Sequence, residues 1–302
     1  MKFTALHVLP ILTFHCYGEL RQEVKDQSLK IFNGDTLITE YRTDHTFPYL
    51  YPLVGPAGHG LTRSFPMSKD NEAEEQDHPH HRSFWFTHGS INGHDFWSDK
   101  TGDARISHQS FEDLKDGAFT ANLVWSFKNE SLLNEKRNYH FEMADESTLS
   151  VTVTSALTAL VDVTFGDTKE GSFALRVTPT LRNEGKAAKG HLANSEGQKD
   201  GEVWGKRADW ISCYGPDGEG QATVISMMDH PSNLRHPTFW HARTYGLLAA
   251  NPFGVKDFTK KGSGDFILKK GETLTQRYRI LIQSGEFNAA SVEKAYAAFA
   301  EK

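Results

Sequence analysis

The stretch FTANLVWSF, residues 119–127, decides the fold class. Phe119, Ala121, Leu123, Trp125 and Phe127 alternate with Thr120, Asn122, Val124 and Ser126. An extended chain points successive side chains to opposite faces, so this period of two makes one apolar and one mixed face, as in a half-buried strand. Leu149, Val151 and Val153 alternate in the same way with Thr148, Ser150, Thr152 and Thr154. Working outward, residues 137–143, 172–178, 222–228, 246–250, 265–268 and 274–283 read as further strands. Residues 28–32 and 36–42 flank Asn33-Gly34-Asp35, and Asn-Gly accepts positive φ at both turn positions, which predicts a hairpin. The polar run Lys269-Lys270-Gly271-Glu272 predicts another hairpin between the last two strands. Helical spacing is confined to the end of the chain, where Ser291 is placed to cap a segment with Val292, Ala295, Tyr296 and Phe299 on one face. Many strands, Gly/Pro/Asn/Asp punctuation and one helix predict an all-β fold: a large antiparallel β-supersandwich with a short C-terminal helix.

The chain has 302 residues with 24% charged and 38% hydrophobic side chains, enough for a sizeable core without disulfide or metal staples. Its net charge of -6 provides no basic field for nucleic acid or anionic lipid, so neither is expected as a partner. No segment approaches the roughly 18 apolar residues of a membrane-spanning helix. Lys2, an apolar stretch over residues 5–14 and small or polar residues near Gly18 read as a signal peptide over residues 1–18. That leaves a single β domain over residues 19–302, periplasmic or secreted. Losing Lys2 takes the charge from -6 to -7, and losing Cys16 leaves Cys213 as a lone thiol, expected in the core.

Histidine stands out, with 15 in the chain, and so does its clustering. His78, His80, His81, His88 and His94 lie in or beside DHPHHRSFWFTHGSINGHDFW, residues 77–97. This segment also carries Trp85, Phe86, Phe96 and Trp97. Imidazoles supply acids, bases or ligands near neutral pH, and aromatic rings offer flat faces to the C–H side of a sugar ring. Metal binding is the rival reading. In an extended segment His78 and His80 share a face while His81 points away, so three ligands require a turn at Pro79. No HExxH, paired CxxC or EF-hand pattern accompanies them, so no metal ligands are assigned and no cofactor is predicted. A second cluster, residues 229–254, holds His230, His236, His241, Arg235, Arg243, Trp240 and Tyr245. TKEGSFALR, residues 168–176, offers Glu170 as acid or base and Arg176 to orient it or bind substrate. WGKRADW, residues 204–210, offers Trp204, Lys206 and Arg207.

The segments PYLYPLVGPAGHGLTRSFP, DHPHHRSFWFTHG, TKEG with WGKRADW, and RHPTFWHARTYGLLAANPFG resemble a bacterial family of unknown function labelled methane oxygenase PmoA-like. That family is similar in turn to the galactose-mutarotase-like sandwiches. The resemblance runs from about Tyr41 to Gly285. The oxygenase label implies a copper membrane protein, and a chain without membrane spans does not fit that activity. The more distant resemblance to aldose 1-epimerases rests on Arg63 within residues 60–65, and on His88-Gly89 followed by Gly93, Asp95, Phe96 and Trp97. It implies that Arg63 and His88 contact a sugar. Epimerases also use a central histidine and a late glutamate. Residues 173–178 contain no histidine and no matching glutamate precedes Gly271, so the resemblance implies a fold and a carbohydrate ligand rather than mutarotation.

These readings predict an enzyme acting on a sugar or glycoside, as hydrolase, lyase or epimerase-like catalyst. Glu170, His80, His81, His236 and His241 are its acid–base groups. Arg63, His88, Trp97, Arg176, Trp204, Lys206, Arg207, Trp240 and Arg243 bind substrate. The rivals are a noncatalytic carbohydrate-binding protein and a metal-dependent enzyme ligated through His80, His81 and another histidine.

Overall fold

A computed structural model describes residues 20–301 apart from Asp70, Glu72, Ala73, Asp99 and Asp116. The signal-peptide reading falls on residues outside that set. Phe119, Ala121, Leu123 and Trp125 are all buried, on strand Ala118–Phe127. This strand pairs antiparallel with Ala104–Lys115 on one side and Glu130–Asp145 on the other. Among the described residues, the back sheet so begun has eight strands, continuing through Thr148–Ala159, Thr273–Ser284, Ala222–Asp229, Trp210–Pro216 and His191–Asn194. A front sheet of eight runs in the order Leu20–Lys25, Ser28–Asn33, Thr36–Arg42, Tyr49–Leu53, Phe84–His88, Gly171–Arg176, Leu247–Asn251 and Phe239–Trp240. The all-β antiparallel sandwich and its short C-terminal helix are therefore present.

The two sheets pack through aromatic rings. Phe84, Phe86 and Phe173 of the front sheet meet Tyr139, Trp125 and Tyr278 of the back sheet at centroid distances of 6.5, 6.3 and 4.6 Å. Each buried ring of this size stabilises the fold by roughly 1.5–3 kcal/mol. Alternation then sends Trp85, Thr87, Ala174 and Arg176 to the opposite, front face. Long connections cover that face, so Phe84–His88, Gly171–Arg176 and Leu247–Asn251 are buried throughout. Strands buried on both sides lose the polar/apolar alternation, and Phe84–His88 falls within a stretch whose sequence shows no period.

The hairpin around Gly34 forms, with Asn33 opposite Thr36. Its central pair is Gly34-Asp35 rather than Asn33-Gly34, and Gly34 takes the positive φ of 57°. The predicted hairpin at 269–272 is a turn that joins different sheets. Phe266–Leu268 pairs with Val163–Phe165 in a two-stranded ribbon, whereas Thr273–Ser284 lies between Thr148–Ala159 and Ala222–Asp229. Asp162 binds the Lys270 amide and the Lys269 ammonium and so draws the turn toward the ribbon. Helix Ala289–Ala300 is capped by Asn288, whose side-chain oxygen accepts from the Ser291 amide. Ser291 is thus the third residue of the first turn, not the cap. Val292, Tyr296 and Phe299 pack onto Trp210, Met228 and Leu281. Cys213 is buried, its thiol hydrogen-bonded to the Leu181 carbonyl and pushed up to about 12 by burial.

Among the described residues no helix is long and apolar enough to cross a membrane.

Candidate functional site

The front face of the three fully buried strands carries a cavity of about 370 Å³. It is built by the connections that enter or leave those strands. Residues 78–81 lead into Phe84–His88 and Trp97 follows it. Lys169 and Glu170 lead into Gly171–Arg176. His241, Arg243 and Tyr245 lie between Phe239–Trp240 and Leu247–Asn251. Adjacent pairing of the strands therefore brings together side chains that are far apart in sequence.

Pro79 makes the turn that three neighbouring histidines need. The His81 amide closes on the His78 carbonyl at 2.9 Å, and His78 sits at φ 42°, with Pro79 in the position its fixed φ suits. The result is a stack of Tyr245, His78, His81 and Trp85, with successive centroids 5.5, 4.8 and 5.3 Å apart. His80 stands edge-on to His81 at 4.5 Å.

Beneath the stack lies a charged floor. Arg63 is carried beside Arg176 by a bond from its amide to the Arg176 carbonyl at 3.0 Å. Its guanidinium donates to the Asp77 carboxylate at 2.6 Å and to the carbonyls of Asp77 and His78. Arg176 reaches both Asp77 oxygens at 3.2 and 3.3 Å and donates to His81 Nδ1 at 3.0 Å. Burial and the adjacent Arg176 push Arg63 down to about 10. The two guanidiniums hold the Asp77 carboxyl below the usual range despite its partial burial.

These contacts fix tautomers. A guanidinium only donates, so His81 Nδ1 accepts and its proton sits on Nε2. That Nε2 is buried with no partner among the described residues. Burial, together with His80 and Arg176, pulls the His81 pKa well below 6.5. His241 Nδ1 donates to the Lys169 carbonyl at 2.7 Å, which leaves Nε2 as an acceptor. Burial lowers His241 to about 4, opposed by Glu170. His80 is lowered to about 4 by burial and His78, again opposed by Glu170. At neutral pH His80, His81 and His241 are therefore neutral imidazoles beside the Glu170 carboxylate, which forms an ion pair with Lys169.

A second cavity of about 450 Å³ adjoins the first and shares His78, His80, Trp97 and Ser98 with it. His45, Phe47, Arg82 and Lys100 line its far side. Among the described residues, no three His, Cys, Asp or Glu side chains are arranged to share a metal ion.

Glu170, His80, His81, His241, Trp97 and Arg243 thus line one cavity, with Arg176 and Arg63 under it. The other predicted residues lie elsewhere, for identifiable reasons. His88 has the parity of Phe84 and Phe86 and points inward. There it donates through Nε2 to the Gly166 carbonyl at 2.9 Å and packs on Phe253. Trp240 is buried and donates to the Ala208 carbonyl at 2.8 Å. Arg207 ties the 235–237 loop by donating to the Pro237, Arg235 and His236 carbonyls. Lys206 is exposed and lies outside the cavity. Trp204 stands behind it, its ring 5.9 Å from the Arg243 guanidinium. His236 is bound between Asp229 at 2.9 Å and Asp209 at 3.2 Å near Tyr296 of the C-terminal helix. Its bond to Asp229 raises its pKa, the opposite of the cavity histidines.

Asp77, Lys169 and Tyr245 are site residues that the sequence patterns do not mark as such. Asp77 had one signal, a carboxylate immediately before a histidine run in a chain with arginines to pair. Tyr245 had another, an aromatic two residues from Arg243.

The fold and cavity define an antiparallel β-sandwich with a polar, histidine-lined cleft on one sheet. The chain belongs to the family described as "Family of unknown function (DUF6807)", which it matches over residues 28–297. No curated protein matches it.

Proposed function

We propose that this protein is a carbohydrate-active enzyme using Glu170 and neutral histidines for acid–base chemistry on a sugar or glycoside. The observation that carries this reading is the meeting of Glu170, His80, His81 and His241 with the aromatic side chains of Trp97 and Tyr245 in one cavity. A sugar needs hydroxyl partners of both kinds and a flat apolar surface. The Nε2–H of His81 donates and Nε2 of His241 accepts. Tyr245 presents both a ring and a hydroxyl.

In this reading the Glu170 carboxylate takes a proton from the substrate or from an attacking water. The His81 Nε2–H then bonds the oxygen on which negative charge develops, held in place by Arg176. The first cavity holds one sugar ring and the adjoining cavity the group beyond it, with the shared His80–Trp97 edge between them. Both volumes fall within the usual range of about 300–1,000 Å³ for small-molecule sites. The antiparallel two-sheet architecture supports a kinship with galactose-mutarotase-like sandwiches and the PmoA-like label, without the oxygenase activity. The N-terminal segment supports export to a periplasm or beyond.

A panel of glycosides and oxidised sugars, followed by product analysis, tests the proposal. Turnover of at least one class, reduced about 100-fold or more in Glu170→Gln with binding retained, is the expected result. Sugar binding without turnover would make the protein a binding module, and no sugar binding at all would reject the carbohydrate reading.

A further inference from the structure

Resting on that reading, we infer that the substrate is an acidic sugar whose carboxylate is gripped by Arg243. The other strong charges of the site have partners. Arg63 and Arg176 share Asp77, and Lys169 pairs with Glu170. Arg243 lines the same cavity, yet its guanidinium makes no hydrogen bond or ion pair among the described residues. Two rings lie beside it, Trp204 at 5.9 Å and Tyr245 at 5.5 Å.

Both rings lie within cation–π reach, an attraction that leaves the guanidinium N–H groups uncommitted. Contacts of this kind favour a guanidinium position at little cost to its donors. Backbone bonds fix the base of the side chain as well, since the Arg243 amide donates to the Leu247 carbonyl at 2.7 Å and the Gly246 amide to the Arg243 carbonyl at 2.8 Å. A preorganised, half-buried guanidinium fork without a protein anion is suited to a planar anion on the ligand, which it can bind bidentately.

The same fork also suits a phosphate, and the neighbouring Glu170 decides between the two. A carboxylate bound in this cavity adds one negative charge beside Glu170, whereas a phosphomonoester adds nearly two, with a correspondingly larger repulsion. The site therefore favours a uronate-type sugar, with Tyr245 and Lys169 flanking the bound carboxylate.

Calorimetric titration of the full chain with methyl glucuronide against methyl glucoside, and methyl galacturonide against methyl galactoside, tests the inference, with the corresponding sugar phosphates as a further arm. At least one acid should bind about tenfold tighter than its neutral partner, as expected for one charge-assisted bidentate contact, and the preference should shrink as salt is added. Arg243→Gln should reduce the ratio of acid to neutral affinity to about twofold or less. Arg243→Lys, which keeps the charge but loses the fork, should lie between and serves if the glutamine variant melts early. Equal binding of acid and neutral sugar, or a preference that survives Arg243→Gln, overturns the inference and leaves the carbohydrate reading standing. Tighter binding of the sugar phosphate overturns the carboxylate assignment, and no binding of any sugar overturns both proposals.

Discussion

Arg176 donates to Nδ1 of His81 at 3.0 Å, and this bond decides which nitrogen of the histidine carries a proton. The same guanidinium spans Asp77 and lies 4.5 Å above the Tyr245 ring, so one fully buried residue organises the floor of the cavity. Arg176→Met should therefore act twice. It should destabilise the fold by about 3 kcal/mol, the low end for breaking a buried ion pair, because Asp77 keeps Arg63 and is partly solvated. It should also free His81 to change tautomer. Nitrogen-15 chemical shifts of the two imidazole nitrogens would report the change, and wild-type shifts showing a protonated Nδ1 would contradict the assignment.

How far the sequence already carried this arrangement depends on the kind of strand. The back sheet could be read because its strands are half-exposed, and Phe119 to Phe127 alternates visibly. Phe84–His88 could not, since loops cover its outer face and remove the polar positions. Its parity was hidden with it, and His88 looked as available as His81 until pairing with Gly171 turned it inward. Pro79 foretold the turn that gathers three histidines. The partnership of Asp77 with Arg63 and Arg176 depends on a contact spanning about a hundred residues, which no local pattern encodes. His236 is indistinguishable from His241 in sequence for a related reason, because Asp229 and Asp209, which hold it away from the cavity, are brought together only by strand pairing.

The histidines make stability depend on pH with two opposite slopes. His88 and His241 are both lowered to about 4, from an ordinary value near 6.5. Between those limits the unfolded chain binds more protons than the folded one, so their contribution is full above about pH 6.5 and is lost as pH falls toward 4. His236 is raised by its bond to Asp229, so its contribution is full below about pH 6.5 and is lost as pH rises through its elevated value. Melting temperature should fall steeply from pH 6.5 to 4 and decline gently on the alkaline side. His236→Asn should remove the alkaline decline alone. A wild-type profile that is flat from pH 6.5 to 4 would contradict the burial of these imidazoles.

Gly89 positions Glu170 through the absence of a side chain. Its amide donates to the Glu170 carbonyl at 2.6 Å, and a Cβ added there would stand 2.7 Å from Glu170 Cβ and 2.8 Å from that carbonyl oxygen. Both are closer than non-bonded atoms tolerate, so Gly89→Ala must displace the 168–170 connection. A cost of about 1–3 kcal/mol is expected from overpacking. On any substrate found, kcat should fall more than KM rises, because the cavity persists while its carboxylate moves. Unchanged kcat in a folded Gly89→Ala protein would remove Glu170 from the chemistry.

Glu135 and Arg137 join the two sheets by charge where the rings around them join them by burial. Both are almost wholly inaccessible. The guanidinium donates to the two Glu135 oxygens at 2.7 and 2.8 Å and reaches across to the Phe86 carbonyl of the front sheet at 3.2 Å. Trp125 Nε1 and Ser155 Oγ complete the carboxylate, each at 2.7 Å. Removing one charge strands the other in a low-dielectric interior, so Arg137→Met and Glu135→Leu should each cost about 3–5 kcal/mol. Removing both leaves apolar groups of similar volume; the Trp125 and Ser155 donors, the Phe86 carbonyl and the Tyr139 hydroxyl each lose a partner, as they already do in one or other single variant, but no charge is stranded. The double variant should therefore be less destabilised than the sum of the singles by about 2 kcal/mol or more, measured by denaturant unfolding as a double-mutant cycle. Simple additivity would mean that solvent reaches the pair and that packing alone sets the spacing of the sheets beneath the site.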